Sequence, residues 1–242
     1  MNEVTYPPLD VPKPVTNGVW IVDSEHHMAG APLPLRMTVL QLSGGGLLLH
    51  SPTRFTAGTK AALEQIGPIT HVVAPNTVHW SYMTGWQEHV PGATYWAVPG
   101  LRKRRAVVSS ALRLDHDLPD GQQQPWRGDV ECILVKGLGV TEAALFHRPS
   151  RTLVLTDLVV NVETGKLPGP LSLGARLVGS AAPHGKAPIY ARLAFKAGGK
   201  PASEAAARIL ALEPERAIFS HGDWFDAETP ALLRRSLGWL AP

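Results

Sequence analysis

The hydrophobic and polar positions of this chain follow two patterns, short apolar runs and longer segments with helical spacing. Short runs of apolar and β-branched residues predict strands at residues 19–22, 36–42, 46–50, 69–73, 94–98, 130–135, 143–147, 152–156 and 217–220. The second and third runs flank Ser43-Gly-Gly-Gly46, which predicts a β-hairpin. Helical spacing predicts helices at residues 56–66, 201–212 and 229–240. We expect Thr56 to cap the first helix and Gly67-Pro68 to end it.

Three segments lack a clear period. Residues 1–17 are Pro-rich and predict an irregular N-terminal arm, and residues 99–128 are basic and rich in Pro and Gln. Residues 161–200 are dense in Gly and Pro, so we expect short helices there and a cap over one face of the fold. We interpret residues 1–242 as a single domain that includes these segments.

Composition narrows the class of protein. The 242 residues are 44% hydrophobic and 18% charged, which is enough apolar surface for a sizeable core. The 23 Gly and 22 Pro residues favour a loop-rich α/β or all-β fold over a helical bundle. The net charge is only +3, and the basic run Arg102–Arg105 has no interleaved aromatic residues. We interpret that run as a solvated loop and expect no nucleic-acid partner.

Cysteine content and hydropathy help to predict the cellular compartment of the protein. The single cysteine, Cys132, excludes an intramolecular disulfide and lies in a predicted strand, so we expect it to be buried. The N-terminal segment lacks the basic and apolar regions of a signal peptide. No run approaches the ~18 apolar residues of a membrane helix. The sequence therefore predicts a cytoplasmic protein with no membrane partner, and it leaves the oligomeric state open.

Four residues with metal or acid–base chemistry follow directly on predicted strands. They are His50, His79, Asp157 and His221. If these strands share a polarity, their ends lie together, and two or three imidazoles with a carboxylate form the ligand set of a catalytic zinc or iron site with an open position. The alternative for each residue alone is a structural one, because a histidine or aspartate at a strand end often caps a turn.

The loop Ala74–Trp86 concentrates aromatic side chains around His79. Trp80 and Tyr82 flank this histidine, and Trp224 follows His221. Large aromatic side chains mostly pack in cores, so one interpretation is that they complete the core. The other is that they form an apolar substrate-binding pocket with a few convergent polar groups.

Several phrases of the sequence resemble the DUF4336 family, which is related to the metallo-β-lactamase-fold superfamily. The phrases are Arg36-Met-Thr-Val39, His50-Ser-Pro52, Ala74-Pro-Asn76 with His79, residues 146–153, Leu155-Thr-Asp157 and Ser220-His-Gly222. The resemblance covers about residues 17–223. It implies a metallo-β-lactamase-like αββα sandwich, in which two mixed β-sheets are flanked by helices.

The resemblance also implies a reduced metal site. The signature His-x-His-x-Asp-His of the superfamily falls on residues 77–82, where only His79 is kept. Thr77, Ser81 and Tyr82 replace the other three ligands, and Leu138 stands near the place of a further histidine. The two-metal cage is therefore mostly missing.

Asp157 and His221 match the remaining aspartate and histidine of the superfamily pattern, and His50 stands where many relatives carry a supporting aspartate. The set His79, Asp157 and His221 with a water would complete a single-metal site. Zinc is the expected ion, iron and manganese are alternatives, and a metal-free protein is a further alternative.

Three more residues are candidates for the site. Glu142 is a candidate fourth ligand or general base, or else a solvated carboxylate at a strand edge. His184 could enter from the 161–200 segment. Asn76 is expected to hold the loop through hydrogen bonds to its backbone.

These residues support three functional hypotheses. The first is a metal-dependent hydrolase acting on a small molecule, in which a metal-bound hydroxide attacks an ester, lactone, amide or phosphoester and Asp157 or Glu142 takes the proton. The second is a metal-free, non-catalytic relative that binds a ligand through the same scaffold. The third is an iron-dependent redox protein, because two histidines and one carboxylate also suit ferrous iron.

Overall fold

The computed structural model describes residues 4–28, 31–121, 124–126 and 128–241. The strands are β1 (Lys13–Thr16), β2 (Val19–Met28), β3 (Ala31–Gln41), β4 (Leu47–His50), β5 (Ile69–Ala74), β6 (Thr94–Ala97), β7 (His116–Asp117), β8 (Val130–Lys136), β9 (Thr141–His147), β10 (Thr152–Leu155) and β11 (Arg216–Phe219). The helices are α1 (Ala57–Glu64), α2 (Met83–His89), α3 (Arg105–Ser109), α4 (Gly169–Val178), α5 (Ile189–Lys196), α6 (Gly199–Ala211) and α7 (Thr229–Leu237), with a 3-10 helix at Leu101–Lys103. None of the described helices is long and apolar enough to span a membrane.

The strands form two mixed sheets. The first sheet has the order β1-β2-β3-β4-β5-β6-β7, antiparallel from β1 to β4 and parallel from β4 to β7. The second sheet has the order β11-β10-β9-β8, in which β10 and β11 are parallel and the other pairs are antiparallel. With helices on both outer sides, the architecture is the αββα sandwich that the resemblance implies.

The second sheet is buried on both faces, and its strands alternate between two hydrophobic cores. Cys132 and Leu134 of β8 belong to the core between the sheets, whereas Ile133 belongs to the core beneath α6 and α7. Successive side chains of a strand point to opposite faces, so a continuous apolar run is expected when both faces are covered. Burial of Cys132 is confirmed.

The helix boundaries follow the expected local chemistry. The Thr56 side chain accepts a hydrogen bond from the backbone N–H of Thr59 at 3.0 Å and caps α1, as predicted. All three predicted helices are present, although α6 begins at Gly199 and α7 ends at Leu237. Differences of this size are normal for helix ends.

The segments without a clear period contain more regular structure than the sequence indicates. The N-terminal arm is not irregular throughout, because residues 13–16 form β1 and pair with β2 at the edge of the first sheet. Edge strands tolerate proline, which explains how Pro14 fits there. Strand β2 continues to Met28 and β3 begins at Ala31, so both strands are longer than the runs predicted at residues 19–22 and 36–42. Residues 161–200 hold α4, α5 and the start of α6.

The parallel strand pairs determine where the candidate site lies. Strands β4 and β5 are parallel neighbours in the first sheet, and β10 and β11 are parallel neighbours in the second. The carboxyl ends of parallel strands meet at one edge of a sheet, the usual position of ligands in α/β folds. The segments after these four strands carry Ser51, His79, Asp157 and His221.

Candidate metal centre

His79, Asp157 and His221 lie together at the joint edge of the two sheets, and we call them the triad. The Nε2 atoms of His79 and His221 are 3.2 Å apart. His79 Nε2 lies 3.5 Å from Asp157 Oδ2, and His221 Nε2 lies 3.6 Å from Asp157 Oδ1. The three side chains are 9%, 25% and 16% exposed, respectively, so water can reach the cluster.

These distances can be compared with the geometry of a bound ion. Nitrogen and oxygen ligands lie about 2.0–2.2 Å from zinc in a tetrahedral site, which places neighbouring ligand atoms roughly 3.3–3.6 Å apart. The two Nε2 atoms, 3.2 Å apart, and the Asp157 oxygen nearest to each of them, at 3.5 and 3.6 Å, are close to this spacing. One ligand atom from each residue lies within 4.8 Å of the other two. The donor set, two imidazoles and one carboxylate, also suits a borderline divalent ion. The residues present therefore fit a single metal ion with three protein ligands.

The orientation of His221 is set by the first sheet. Its Nδ1 lies 2.8 Å from the carbonyl oxygen of Pro34, and a carbonyl only accepts, so Nδ1 carries the proton. Nε2 then has a free lone pair that points towards His79. Burial and the nearby His79 lower the pKa of His221 to about 4, which keeps the ring neutral. A neutral imidazole whose other nitrogen donates to a carbonyl is the usual form of a metal-ligating histidine.

Arg36 of β3 holds the loop that carries His221. Its Nη1 donates to the carbonyl oxygens of Phe219, at 3.2 Å, and Gly222, at 2.7 Å. The guanidinium is buried and forms an ion pair with Asp23, with 2.8 Å between Nε and Oδ1. A buried pair of this kind ties the two sheets together at the position of His221.

Gly222 allows the sharp turn after His221. Its φ of +88° lies in the region that favours glycine, and a Cβ there would come within 2.1 Å of the carbonyl oxygen of Asn161. The backbone N–H of Asn161 in turn donates to the carbonyl of His221 at 3.1 Å. The close approach of these two backbones therefore requires glycine at position 222.

His79 is oriented from behind by Ser51. The hydroxyl of Ser51 lies 2.7 Å from His79 Nδ1, so Nε2 faces the other members of the triad. Ser51 has a φ of +55°, an uncommon conformation for a residue other than glycine. Burial lowers the pKa of His79, but the adjacent Asp157 carboxylate outweighs this effect and raises it above the usual value.

Asn76 connects the His79 loop to Asp157. Its side-chain oxygen accepts hydrogen bonds from the backbone N–H groups of Val78 and His79 at 2.9 and 2.8 Å, which are the loop contacts expected from the sequence. Its amide nitrogen donates to Asp157 Oδ2 at 2.6 Å and to Thr156 Oγ1 at 3.0 Å. One buried side chain thus sets the relative position of two members of the triad.

Asp157 is ionised in this arrangement. Burial raises its pKa, but the positive charge and hydrogen bond of His79, together with His221 and Asn76, more than offset this and hold the pKa below the usual carboxyl range. The carboxylate is therefore available as a ligand.

Glu142 supports the turn that carries Asp157, and its role as a general base stays a prediction. It is fully buried, and its two oxygens accept hydrogen bonds from the backbone N–H groups of Thr156 at 2.8 Å, Asp157 at 2.8 Å and Leu158 at 3.1 Å. Burial and the adjacent Asp157 carboxylate raise its pKa above the usual carboxyl range. Glu142 is thus not a solvated edge carboxylate, and it lies outside the group of converging ligand atoms. It holds the turn that presents Asp157.

Two other candidate histidines do not join the triad. His50 is fully buried, and neither of its ring nitrogens has a hydrogen-bond partner among the described residues. Burial and the nearby His79 lower its pKa to about 3. His184 is exposed and lies outside the lining of the cavity described next. The reason is the backbone of the 161–200 segment, which brings Tyr190 rather than His184 to the cavity.

A cavity of about 670 Å³ opens at the triad. Trp80 and Tyr82 line it, as expected of substrate-binding residues. Trp224 does not, because its ring packs against both hydrophobic cores. Helices α4 and α5 form part of the cavity wall, so the 161–200 segment lies over one face of the site. Its role as a cap over the site stays a prediction.

Sequence reasoning missed two residues of the site. Ser51 directly follows His50 at a strand end, a position that could have suggested it. His26 lines the cavity and its Nδ1 lies 2.8 Å from the Tyr82 hydroxyl. No local signal indicates His26, because the two residues lie 56 positions apart and the predicted strand ended at Val22.

The sequence profile of DUF4336, a domain of unknown function, matches residues 16–173. The chain belongs to the DUF4336 family. The match includes His79 and Asp157 and ends before His221. No curated protein matches the sequence.

Solved structures similar to this DUF4336 protein include several metallo-β-lactamases. That from Pontibacter korlensis is 16% identical with a TM-score of 0.61, and the match covers 95% of this chain and 97% of the other. That from Hirschia baltica is 15% identical with a TM-score of 0.61 and covers 96% and 97%. FIM-1 from Pseudomonas aeruginosa, in its mono-zinc form, is 16% identical with a TM-score of 0.60 and covers 94% of each chain. At these identities the likeness establishes the metallo-β-lactamase fold.

Proposed function

We propose that this DUF4336 protein is a hydrolase of small molecules that uses one divalent metal ion, held by His79, Asp157 and His221. The observation that carries the proposal is the convergence of the triad, in which one ligand atom from each residue lies within 4.8 Å of the others. The two Nε2 atoms are 3.2 Å apart, and each lies within 3.6 Å of an Asp157 oxygen, which suits a common ion. Zinc is the ion that best suits this donor set. A similar fold in a mono-zinc form gives the proposal a structural precedent.

The ion, when bound, supplies a Lewis acid and a water of lowered pKa. The protein residues supply orientation. His221 keeps its Nε2 lone pair in the site because Nδ1 donates to Pro34, and Ser51 holds the ring of His79. Asp157 brings two carboxylate oxygens, so one can hold the ion while the other accepts a proton from water. The reactions that this arrangement supports are hydrolyses of esters, lactones, amides or phosphoesters.

Metal content tests the proposal. We expect protein purified without added metal to contain one ion per chain by elemental analysis, and to lose it on chelation. The double variant His79→Ala, His221→Ala should lose this ion. The matched control is His116→Ala, His184→Ala, which removes two exposed histidines away from the triad and should keep it.

Other results of the metal analysis would favour the alternative functions. A protein without metal, whose melting temperature does not rise on addition of zinc, manganese or iron, would contradict the proposal and favour a metal-free binding protein. Stoichiometric iron with a reversible redox change would favour the redox alternative. Ester or lactone hydrolysis that returns with zinc after chelation would support the hydrolase.

A further inference from the structure

One wall of the cavity is formed by the facing sides of α4 and α5. The lining positions on α4 include Leu171, Gly174, Ala175 and Val178, and those on α5 are Tyr190, Ala191, Ala194 and Phe195. Residues three, four and seven positions apart share one side of a helix, so each helix turns one face towards the cavity. Both helices therefore contribute a regular surface to the site.

This wall is apolar and leaves open space in front of it. Four of its positions carry only glycine or alanine: Gly174, Ala175, Ala191 and Ala194. A Cβ added at Gly174 would meet no heavy atom within 4 Å. Val160, Val162 and Leu167 extend the apolar surface. The small side chains thus leave volume for a ligand rather than filling it, and about 670 Å³ lies within the range of small-molecule sites.

The polar groups of the cavity come from other elements. The triad, Asn76 and Glu142 lie at the ends of strands, whereas α4 and α5 contribute apolar side chains apart from the Tyr190 hydroxyl. Arg104 is the single lysine or arginine among the described lining residues, and its guanidinium donates to the carbonyl of Gly139. A highly charged substrate would need more cationic partners than this.

We propose that the α4–α5 wall binds a hydrocarbon group of the substrate, so that the substrate is an ester or lactone with an apolar acyl chain. The position of the scissile bond rests on the proposed function, but the binding of the hydrocarbon does not. In the reaction, the oxygen of water bonds to the acyl carbon and the acyl C–O bond breaks. One proton of water passes to the leaving oxygen, which yields a carboxylic acid and an alcohol.

Binding of unreactive analogues tests the wall without catalysis. Linear methyl ketones from butanone to decanone present a carbonyl group but cannot be hydrolysed, and calorimetry measures their affinity for chelated and zinc-loaded protein. We expect affinity to rise by about fourfold for each methylene that is buried. The variant Gly174→Leu should weaken octanone binding at least tenfold and leave butanone binding nearly unchanged.

A control variant lies on the same helix. Leu173 is exposed and does not line the cavity, so Leu173→Gln should leave the ketone affinities unchanged. If the Gly174→Leu variant does not fold, Ala191→Leu on α5 provides the same test. Affinities that do not depend on chain length, or equal effects of Gly174→Leu and Leu173→Gln, would overturn the inference.

The outcomes separate the two proposals. A rising ketone series in a protein that hydrolyses no ester with any metal would support the apolar site and contradict the proposed function. The opposite outcome is hydrolysis of acetate esters with no preference for octanoate esters, together with ketone affinities that do not change with chain length. It would support the proposed function and contradict the apolar site.

Discussion

The two sides of the candidate site, one formed by the triad and the other by the replaced signature positions, differ in how their side chains are held. On one side, His79 is bonded to Ser51, Asp157 to Asn76, and His221 to the carbonyl of Pro34. On the other side, Thr77, Ser81 and Tyr82 occupy the positions where the superfamily signature has metal ligands, and all three line the cavity. Of these three, Tyr82 is bonded through its hydroxyl to His26.

This difference indicates which side chains of the site are held in place before a ligand binds. Ligands must stay close to their productive geometry, and partners behind them provide that support. The triad has such partners from both sheets. Thr77, Ser81 and Tyr82 stand at positions where the superfamily signature has ligands, and here they line the cavity instead. The comparison therefore favours one ion beside an open cavity over a site for two ions. Three predictions test it.

The largest effect is expected at the turn after His221. Substitution Gly222→Ala would force a positive φ on a residue with a Cβ and place that Cβ against the carbonyl of Asn161. We expect the free energy of unfolding to fall by more than about 3 kcal/mol, measured by urea denaturation.

The matched control is Gly92→Ala, because Gly92 has open space around its Cβ position and no positive φ. It should change stability by less than about 0.5 kcal/mol. Equal effects of the two substitutions would show that the backbone conformation at Gly222 and its close approach to Asn161 do not require glycine.

The second effect concerns metal affinity. Removal of the Ser51 hydroxyl in Ser51→Ala leaves His79 without its partner at Nδ1, and loss of such a supporting hydrogen bond typically weakens metal binding by about 10- to 100-fold. Competition with a chelating dye measures this change. Ser81 stands at one of the replaced signature positions, so Ser81→Ala should change the affinity for the metal ion by no more than about twofold. A larger loss for Ser81→Ala than for Ser51→Ala would reverse the comparison.

The third effect is a pH dependence from His50, which lies behind the triad. Burial and His79 lower its pKa in the folded protein to about 3, whereas an unfolded histidine has a pKa of about 6.5. Between these values the unfolded chain binds the extra proton, so stability decreases as the pH falls from about 6.5 towards 3. The slope is about 1.4 kcal/mol per pH unit from this residue alone.

The variant His50→Leu removes this titration. We expect its stability relative to wild type to increase as the pH is lowered from 7 to 5, measured by thermal melting at each pH. Parallel stability profiles of the two proteins would contradict a neutral, buried His50.

The sequence by itself predicted the strands that carry the site and the three members of the triad. Apolar runs predicted the strands that carry the site, because a strand buried on both faces needs an unbroken run such as residues 130–135. The resemblance to DUF4336 and the metallo-β-lactamase fold led to His79, Asp157 and His221. Asp157 and His221 follow closely on their strands and His79 lies in the loop after β5, which made their convergence a reasonable expectation.

Only the tertiary structure decided how these residues are held and what surrounds them. Arg36 and Ser51 support the triad from strands far away in sequence, and no local pattern encodes a hydrogen bond across 186 positions. The structure shows that Glu142 supports the Asp157 turn through hydrogen bonds to three backbone N–H groups, a role that the sequence did not indicate. The apolar wall of α4 and α5 came from the segment with the weakest sequence pattern. Some of its apolar positions, such as Phe195, pack in a buried core, whereas others only line the cavity, so no single period marks these helices in the sequence.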